Sequence, residues 1–560
     1  MEKLIAAFLS LFLMISTATA RTRPQEELDR YLEAAVEAWN FRGAALVACG
    51  GDVIISHAYG PANEQFNLPN DTATKFIIGS ITKQFTAAAI LKLHDMGKLD
   101  LNRTIDDFIP DYPQPAGSTV TVSQLLTHTS GIPNYTALPQ LQFGRTHELS
   151  PPEIMNLFKS LPLEFEPGSR FAYSNSGYIV LGEIIERVSG QSYEAFLHHE
   201  LFKPCGMNSS GYGRREAGLP QRADGYTVDE NNQPIAAVPI SYSVLHTAGA
   251  LYSTVGDMFR WNRCLDEGCV LSRSSMRMMF TDHGFGYGYG WYIDSVYGRP
   301  HYFHGGFLDG FNTTVERWPE DKLLVIIFSN EDEAPVKKMA RGLASICLFD
   351  RPYVWPEKHQ PINLDNLDFS QYDGVYQPNN GPEHVIAADG DSLFIQLPEH
   401  ERDRLLPVAT DSFFLLTDNT VSLTFFRDAF NEPVGYHLWD EGITIKAFKI
   451  ETEEAFRLLE MFRAQPVDPA VHGAVVGTYR IRSEMVPADS SLYITITLED
   501  CHLFASVGNF ERIELVPRSD LEFFHRTGGF SIVFNRNESG NIDTCLIHMG
   551  NQTVVGRRVP

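Results

Sequence analysis

The last third of the chain repeats itself, and this repeat most limits the folds open to it. Tyr376 in YDGVYQ recurs 103 residues later as Tyr479 in VVGTYR, and LLPVATDSFFL recurs as ELVPRSDLEFF. Both copies read as short alternating strands with frequent turns, and each is long enough for roughly eight strands. We therefore predict two tandem all-β antiparallel barrels of lipocalin-like form, over residues 369–465 and 466–560.

The preceding segment, residues 21–349, mixes strands with helices. FRGAALVACGGDVIISHAYG and GFNTTVERWPEDKLLVIIFSN each predict a β-hairpin, turned near Gly50 and near Pro319. Between them, KQFTAAAILKLHDMGKL and GYIVLGEIIERVSG show helical periodicity, and Gly190 ends the second helix. This order predicts an α+β domain, an antiparallel sheet flanked by helices. The proline-rich residues 350–368 predict a linker to the barrels.

The first twenty residues predict a secretory signal peptide. Lys3 precedes the apolar run LIAAFLSLFLMIS, and Ala18-Thr19-Ala20 matches an A-x-A cleavage site. An uncleaved anchor is the alternative, but the run is shorter than a bilayer requires. We expect cleavage before Arg21 and an exported protein, periplasmic or secreted.

Composition excludes several partners. The net charge of −25, from 45 basic and 70 acidic side chains, argues against binding to nucleic acid or to an anionic membrane surface. No later segment is apolar enough for a membrane span. The adjacent His198 and His199 make a poor metal-ligand pair, and no metal or other cofactor is predicted. A homodimer is left open.

Seven cysteines, an odd number, are too few for a disulfide scaffold of this size. Cys264 and Cys269 are close enough along the chain to bridge in an oxidising compartment. We expect the other five to be small core residues.

The segment GSITKQFTAAAILKL contains the only Ser-x-x-Lys pair in the chain, Ser80 and Lys83. Positions three apart share one face of a helix, so the amine can reach the hydroxyl. Serine is inert at neutral pH unless a base removes its proton, and burial makes lysine such a base by lowering its pKa. The alternative is a helix-capping serine with a lysine that reaches to solvent.

The segment PGSRFAYSNSGYIVLG contains the only Tyr-x-Asn, Tyr173 and Asn175, just before a helix. A tyrosine beside a lysine can act as a second base or proton relay, and an asparagine amide can orient a carbonyl. The alternative is a turn in which Asn175 caps the helix and Tyr173 packs.

A third segment, HYFHGGFLDGFNTTV, places His304-Gly305-Gly306 at a strand. Glycines there allow a substrate backbone to lie close to the strand. The backbone N–H of Phe307 can form an oxyanion hole with that of Ser80, and His304 would supply a donor or a positive charge. A simple β-bulge is the alternative.

In this order and spacing the three motifs resemble the serine β-lactamase and penicillin-binding-protein superfamily. QLLTHTSGIPNY and EPGSRFAYSNSGY are similar to its wider group of class C enzymes, D-alanyl-D-alanine carboxypeptidases and esterases. A catalytic domain followed by two eight-stranded barrels, with His-Gly-Gly as third motif, resembles the bacterial D-aminopeptidases.

That resemblance implies Ser80 as nucleophile, Lys83 and Tyr173 as the proton-transfer pair, and Asn175 and His304 as supporting residues. It implies a peptide, amide or ester substrate with an N-terminal D-residue. It also implies a loop of the last barrel that enters the cleft, with Glu484 and Asp489, or Asp520, as candidates.

Because histidine is mostly neutral at pH 7 and Gly305 lacks a hydroxyl, a substrate without a carboxylate near the scissile bond is favoured. Three alternatives are also compatible with the sequence. An esterase, or a D-alanyl-D-alanine carboxypeptidase or β-lactamase-related hydrolase, would use the same motifs. A catalytically inactive protein could instead hold a hydrophobic ligand in its barrels. An α/β-hydrolase is disfavoured, because the chain has no Gly-x-Ser-x-Gly.

Overall fold

The computed structural model forms two compact units, Met1–Glu357 and Lys358–Pro560. The described residues are 24–138, 148–213, 220–228, 234–238, 241–296, 298–348, 355–357, 360–364, 367–379, 381–397, 402–416, 421–440, 443–453, 455–456, 459, 473–482, 492–499, 502–507, 513–517, 519–524, 530–537, 539–549 and 552–559. The predicted signal peptide lies outside them, as do Glu484 and Asp489.

The first unit is built on a six-stranded antiparallel sheet, whose strands lie in the order Tyr292–Val296, Arg299–Leu308, Phe311–Trp318, Leu323–Ser329, Gly43–Cys49 and Asp52–Tyr59. The strands of this unit are β1 Gly43–Cys49, β2 Asp52–Tyr59, β3 Pro61–Asn63, β4 Leu68–Pro69, β5 Phe76–Ile77, β6 Gly211–Tyr212, β7 Tyr226–Val228, β8 Pro234–Ala236, β9 Leu251–Ser253, β10 Tyr292–Val296, β11 Arg299–Leu308, β12 Phe311–Trp318 and β13 Leu323–Ser329.

The first unit also contains the helices. They cover residues 24–39, Thr82–Asp95, Ala116–Thr119, Val122–Leu126, Pro151–Phe158, Asn175–Ser189, Tyr193–Leu197, Lys203–Cys205, Tyr242–Gly249, Val255–Glu267, Arg273–Met279 and Val336–Leu348. Short turns of 3₁₀ or π type occur at Gly79–Ile81, Ile105–Asp107, Tyr135–Ala137 and His198–Phe202. None of the helices in the described part of the chain is long and apolar enough to cross a membrane.

Both predicted hairpins are confirmed, as β1–β2 and β12–β13. Side chains alternate between the two faces of a strand, so each face of β1 packs against a different core. In β1, Ala44 and Leu46 face the core that includes the helix Thr82–Asp95. Ala45 and Val47 face a second core, formed with the terminal helices 24–39 and Val336–Leu348. Helices on both faces of one antiparallel sheet give the predicted α+β architecture.

The second unit contains the two predicted barrels, each closed from eight antiparallel strands. Their strands are β14 Gly374–Pro378, β15 His384–Asp389, β16 Ser392–Gln396, β17 Arg402–Ala409, β18 Ser412–Leu415, β19 Ser422–Arg427, β20 Pro433–Asp440, β21 Ile443–Ile450, β22 Gly477–Arg482, β23 Leu492–Glu499, β24 His502–Val507, β25 Ile513–Pro517, β26 Glu522–Phe524, β27 Phe530–Arg536, β28 Ile542–Met549 and β29 Gln552–Arg558. A 3₁₀ turn, Phe369–Tyr372, precedes β14.

The sequence repeat has a structural counterpart in the barrels. The Tyr376 hydroxyl donates to the Tyr372 carbonyl at 2.7 Å, and the Tyr479 hydroxyl donates to the Val475 carbonyl at 2.8 Å. Both phenol rings are fully buried among the apolar side chains inside their barrels. The repeated tyrosine therefore fastens the chain entering each barrel to its first strand.

The predicted Cys264–Cys269 bridge is wrong, because Cys264 forms a disulfide with Cys205, 59 residues earlier. Cys264 lies on the buried face of the helix Val255–Glu267. Cys269 follows the helix end at Gly268 and is exposed as a free thiol. Short sequence separation was a poor guide here because the helix directs the two side chains differently.

Candidate active site

Ser80 lies in a tight turn between β5 and the buried helix Thr82–Asp95. Gly79 has φ +52°, in the left-handed region that glycine adopts without a steric penalty. The turn Gly79–Ile81 carries Ser80 into the start of the helix, and Lys83 follows one turn later.

Lys83 is fully buried, and its side-chain nitrogen has three polar neighbours. Nζ lies 3.0 Å from Ser80 Oγ, 2.8 Å from Asn175 Oδ1 and 2.8 Å from the Ala248 carbonyl oxygen. Asn175 and Ala248 come from distant parts of the chain. The alternative of a lysine that reaches to solvent is therefore excluded by its burial.

All three neighbours could accept from an ammonium, but they also suit an uncharged amine. A free amine has two N–H donors and one lone pair, and two of the neighbours, on Asn175 and Ala248, are carbonyl oxygens that can only accept. The lone pair is then left for the Ser80 hydroxyl, which can donate. Burial also lowers the pKa of Lys83 well below its usual value. The arrangement suits removal of the Ser80 proton.

Tyr173 stands beside this pair. Its ring centroid lies 4.8 Å from Lys83 Nζ. Burial raises the pKa of Tyr173 well above its usual value, although a hydrogen bond with the Ser80 side chain acts in the opposite direction. Tyr173 is therefore a protonated phenol at neutral pH. Of the two predicted roles, this favours proton relay over second base.

Asn175 is the first residue of the helix Asn175–Ser189, and its amide is held in one orientation. Its Nδ2 donates to Asn134 Oδ1 at 3.3 Å and to Thr136 Oγ1 at 3.2 Å. These two bonds turn Oδ1 toward Lys83. The helix-capping alternative does not explain that contact. Asn134 and Thr136 were missed in the sequence, although Asn134 belongs to the quoted QLLTHTSGIPNY and Thr136 follows it directly.

His304 is buried on β11, and both of its ring nitrogens are engaged. Nε2 lies 3.0 Å from the Tyr287 hydroxyl, and Nδ1 lies 2.7 Å from the Gly305 carbonyl oxygen. Because a carbonyl only accepts, Nδ1 carries the proton and Nε2 accepts from Tyr287. Burial is the main cause that lowers the pKa of His304 to about 3. The interpretation of His304 as a positive charge is therefore wrong.

The glycines of β11 allow it to touch the Ser80 turn backbone to backbone. A Cβ on Gly306 would lie 2.0 Å from the Ile78 carbonyl oxygen, and a Cβ on Gly79 would lie 3.0 Å from the Phe307 nitrogen. Thr313 Oγ1 donates to the Ile78 carbonyl at 3.1 Å. The backbone nitrogens of Ser80 and Phe307 thus belong to two segments in direct contact, as an oxyanion hole requires.

One edge of β11 is unpaired next to this contact. The register with β10 ends at the pair Tyr292 and Phe303, so residues 304–308 have no β10 partner in the described part of the chain. An extended substrate segment can therefore add to this edge by backbone hydrogen bonds. Phe307 is 62% exposed and offers an apolar surface there.

Lys337 is a cation that the sequence motifs did not reveal. It follows the first residue of the helix Val336–Leu348 and is exposed. Its Cε lies 3.5 Å from the position that a Cβ on Gly305 would occupy. The Lys337 side chain therefore lies next to Gly305, although the two residues belong to different elements.

His128 was also missed. Its fully buried ring stacks on the Tyr173 ring, with centroids 4.2 Å apart and an angle of 30°. No group of three or more His, Cys, Asp or Glu side chains suited to a metal ion occurs among the described residues.

Comparison with known proteins agrees with this architecture. The family model described as Beta-lactamase matches residues 28–347. The chain is 28% identical over 417 residues to Penicillin-binding protein 4* of Bacillus subtilis (strain 168), covering 70% of this chain and 91% of that protein.

Two solved structures share the fold. The octameric penicillin-binding protein homologue from Pyrococcus abyssi is 26% identical, with a TM-score of 0.55 over 75% of this chain and 99% of that one. The D-amino acid amidase from Ochrobactrum anthropi SV3 is 22% identical, with a TM-score of 0.51 over 58% of this chain and all of that one. At that identity the second likeness concerns the fold alone.

Proposed function

This chain belongs to the beta-lactamase family, a family of serine hydrolases, and from this premise we propose that it works through an acyl-enzyme on Ser80. The observation that carries the proposal is the set of neighbours of Lys83 Nζ: two carbonyl oxygens and one hydroxyl. Because the nitrogen is fully buried and its pKa is lowered, that set suits a neutral amine that accepts the proton of Ser80.

In the first step, Lys83 takes the hydroxyl proton while Ser80 Oγ attacks the substrate carbonyl carbon. The carbonyl electrons move onto oxygen, and the backbone N–H groups of Ser80 and Phe307 stabilise that oxyanion. The Tyr173 phenol gives its proton to the leaving nitrogen or oxygen as the scissile bond breaks. Lys83 returns its proton to Tyr173.

Water then attacks the acyl carbon. It loses a proton to the same basic pair, and the acyl–oxygen bond of Ser80 breaks as Oγ is protonated again. The product acid leaves and the resting state is restored.

For the substrate, we propose peptides, amides or esters with an N-terminal D-residue. Two observations support a substrate without a carboxylate at this position, because they leave the third motif without a group to bind one. His304 is neutral with both nitrogens engaged, and Gly305 carries no hydroxyl. The fold shared with a D-amino acid amidase is compatible with this class.

Lys337 favours a second candidate, hydrolysis of a D-alanyl-D-alanine bond. Its side chain lies over Gly305, where a carboxylate on the leaving residue could pair with the ammonium. The similarity to a protein named for penicillin binding points the same way.

A matched substrate pair separates the two candidates. We expect hydrolysis of D-alanine p-nitroanilide in preference to its L-isomer, to p-nitrophenyl butyrate and to a cephalosporin. An acyl-D-alanyl-D-alanine peptide and its C-terminal carboxamide are compared on the wild type, on Lys337→Ala and on Lys98→Ala, an exposed control. A carboxylate preference lost only in Lys337→Ala would establish the second candidate. Preference for the ester without D-amide turnover would overturn the first.

Export also remains a proposal. The Cys205–Cys264 disulfide supports it, since structural disulfides persist in oxidising compartments. Mass spectrometry of the mature protein, with an N-terminus at Arg21, would establish cleavage.

A further inference from the structure

His128 contacts Tyr173 from three directions. Its carbonyl oxygen accepts the Ala172 N–H at 2.9 Å, and its Nδ1 accepts the Ser174 N–H at 3.1 Å. These donors are the residues immediately before and after Tyr173. Between them, the imidazole stacks on the Tyr173 ring at 4.2 Å. One residue therefore brackets the tyrosine backbone and supports its ring.

The conformation of His128 makes this bracket available. Its φ is +56°, so its carbonyl and side chain turn toward the same neighbouring segment. Left-handed backbone is uncommon for a residue with a Cβ, although histidine is among those enriched there. Strained residues of this kind persist where surrounding contacts compensate, and they cluster at functional sites.

The surroundings also require an uncharged ring. His128 is 1% exposed, and the aromatic rings of Tyr178 and Tyr287 lie 5.1 Å and 4.8 Å away. Nδ1 must keep its lone pair to accept the Ser174 N–H, so Nε2 carries the single proton. Burial lowers the pKa of His128 well below its usual value.

We propose that His128 is a positioning residue that fixes the Tyr173 phenol at Ser80 through the two backbone hydrogen bonds and the stacked ring. The inference rests on the proposed function, because it assigns His128 a role only through Tyr173. Nothing in the geometry brings His128 to the substrate carbonyl, so it is not itself a catalytic residue.

A double-mutant cycle tests this dependence. His128→Phe keeps a stacking ring but removes the Nδ1 acceptor, whereas His128→Asn keeps a side-chain acceptor and tolerates left-handed backbone but removes the ring. Each is made in the wild type and in Tyr173→Phe. The measured quantity is the rate constant of labelling by a fluorophosphonate probe, followed to completion so that unfolded protein does not lower it.

We expect each variant to slow labelling about 10- to 100-fold in the wild type, as displacement of a proton-transfer group does. In Tyr173→Phe we expect each to slow it less than twofold. Equal slowing in both backgrounds, or no slowing in the wild type, would overturn the positioning role. If His128→Phe does not fold, His128→Asn gives the same comparison.

Two controls separate the possible failures. His384→Phe makes the same change at a buried histidine of the first barrel and should leave the rate constant unchanged in both backgrounds. Ser80→Ala should abolish labelling. Labelling that survives in Ser80→Ala refutes the proposed function itself. If Ser80→Ala is not labelled but the double-mutant cycle shows no dependence on Tyr173, only the role of His128 is refuted.

Discussion

At the scale of single residues, the charge state of Lys83 controls the chemistry. An ammonium has three donors and no acceptor, so it could not receive the Ser80 proton. Transfer of a lysine from water into a buried site favours the neutral form, and no carboxylate among the described residues hydrogen-bonds to Nζ to restore the charge. A lysine can be charged or neutral as far as its residue type is concerned, whereas burial favours the neutral form.

The pH dependence of acylation should show that the neutral form of Lys83 is the active one. The free amine is the active form, and burial lowers the pKa of Lys83 well below 10.5. The labelling rate of Ser80 should therefore rise with pH through that lowered pKa and level off well before pH 10.5. Stopped-flow labelling with a fluorophosphonate over a range of buffers measures it. A rate that continues to climb up to the ordinary lysine pKa would contradict the buried-base interpretation.

Stability should depend on the same proton. Between the lowered pKa and 10.5, unfolded Lys83 binds a proton that the folded protein does not, so the free energy of unfolding rises with pH in this window. Relative to Lys83→Met, the wild type should gain up to about 1.4 kcal/mol per pH unit there. Urea unfolding of both proteins at several pH values gives the difference. Parallel curves would show that Lys83 does not change its charge on folding.

At the scale of elements, the site depends on how closely β11 approaches the Ser80 turn. The two glycines of the third motif differ in this respect. A Cβ on Gly306 would lie 2.0 Å from a backbone oxygen of Ile78, whereas a Cβ on Gly305 would meet its nearest atoms at 3.4 and 3.5 Å, an ordinary contact. Gly306 is thus required by backbone packing, and Gly305 is not.

Substitution of the two glycines should therefore have unequal effects. Gly306→Ala should push β11 away from the turn, misplace the Phe307 N–H and slow labelling about 100-fold or more, as loss of an oxyanion donor does. Gly305→Ala should remain within a few-fold of wild type. Labelling rates and thermal unfolding temperatures of both variants provide the comparison. Equal activity of the pair would exclude a tight contact at Gly306.

At the scale of the whole molecule, every residue of the candidate site comes from the first unit, Met1–Glu357. Its two cores are formed by its own helices and sheet. The barrels have separate cores filled by their own side chains, which gives little support to the alternative of a barrel that holds a hydrophobic ligand. The predicted barrel loop in the cleft stays a prediction, as does the homodimer.

A truncation tests the independence of the first unit. The mature chain ending at Glu357 should fold and be labelled at Ser80 with a rate constant within about tenfold of the full chain, because the acylation residues are all present. Its preference among D-amides is measured in the same preparation. A folded truncation that is not labelled would show that the barrels complete the site. Sedimentation velocity on both proteins gives the oligomeric state.

Much of this protein was predictable from local sequence. Periodicity identified the two hairpins and the helices carrying Lys83 and following Tyr173, and the repeat identified two eight-stranded barrels. These predictions were correct because the periodicity of apolar residues and the preferences of turn residues depend on only a few neighbouring positions. The motif order indicated the family for the same reason: residue type and spacing are written along the chain.

The tertiary structure decided what depends on burial and on contacts between distant segments. It made His304 neutral, paired Cys205 with Cys264, and placed Lys337 over Gly305 and His128 against Tyr173. Each outcome joins residues that are tens of positions apart or depends on removal from water. Sequence alone therefore determined which groups the chain carries and in which elements, whereas folding determined their charge and their partners, because proton affinity and hydrogen bonding respond to three-dimensional surroundings.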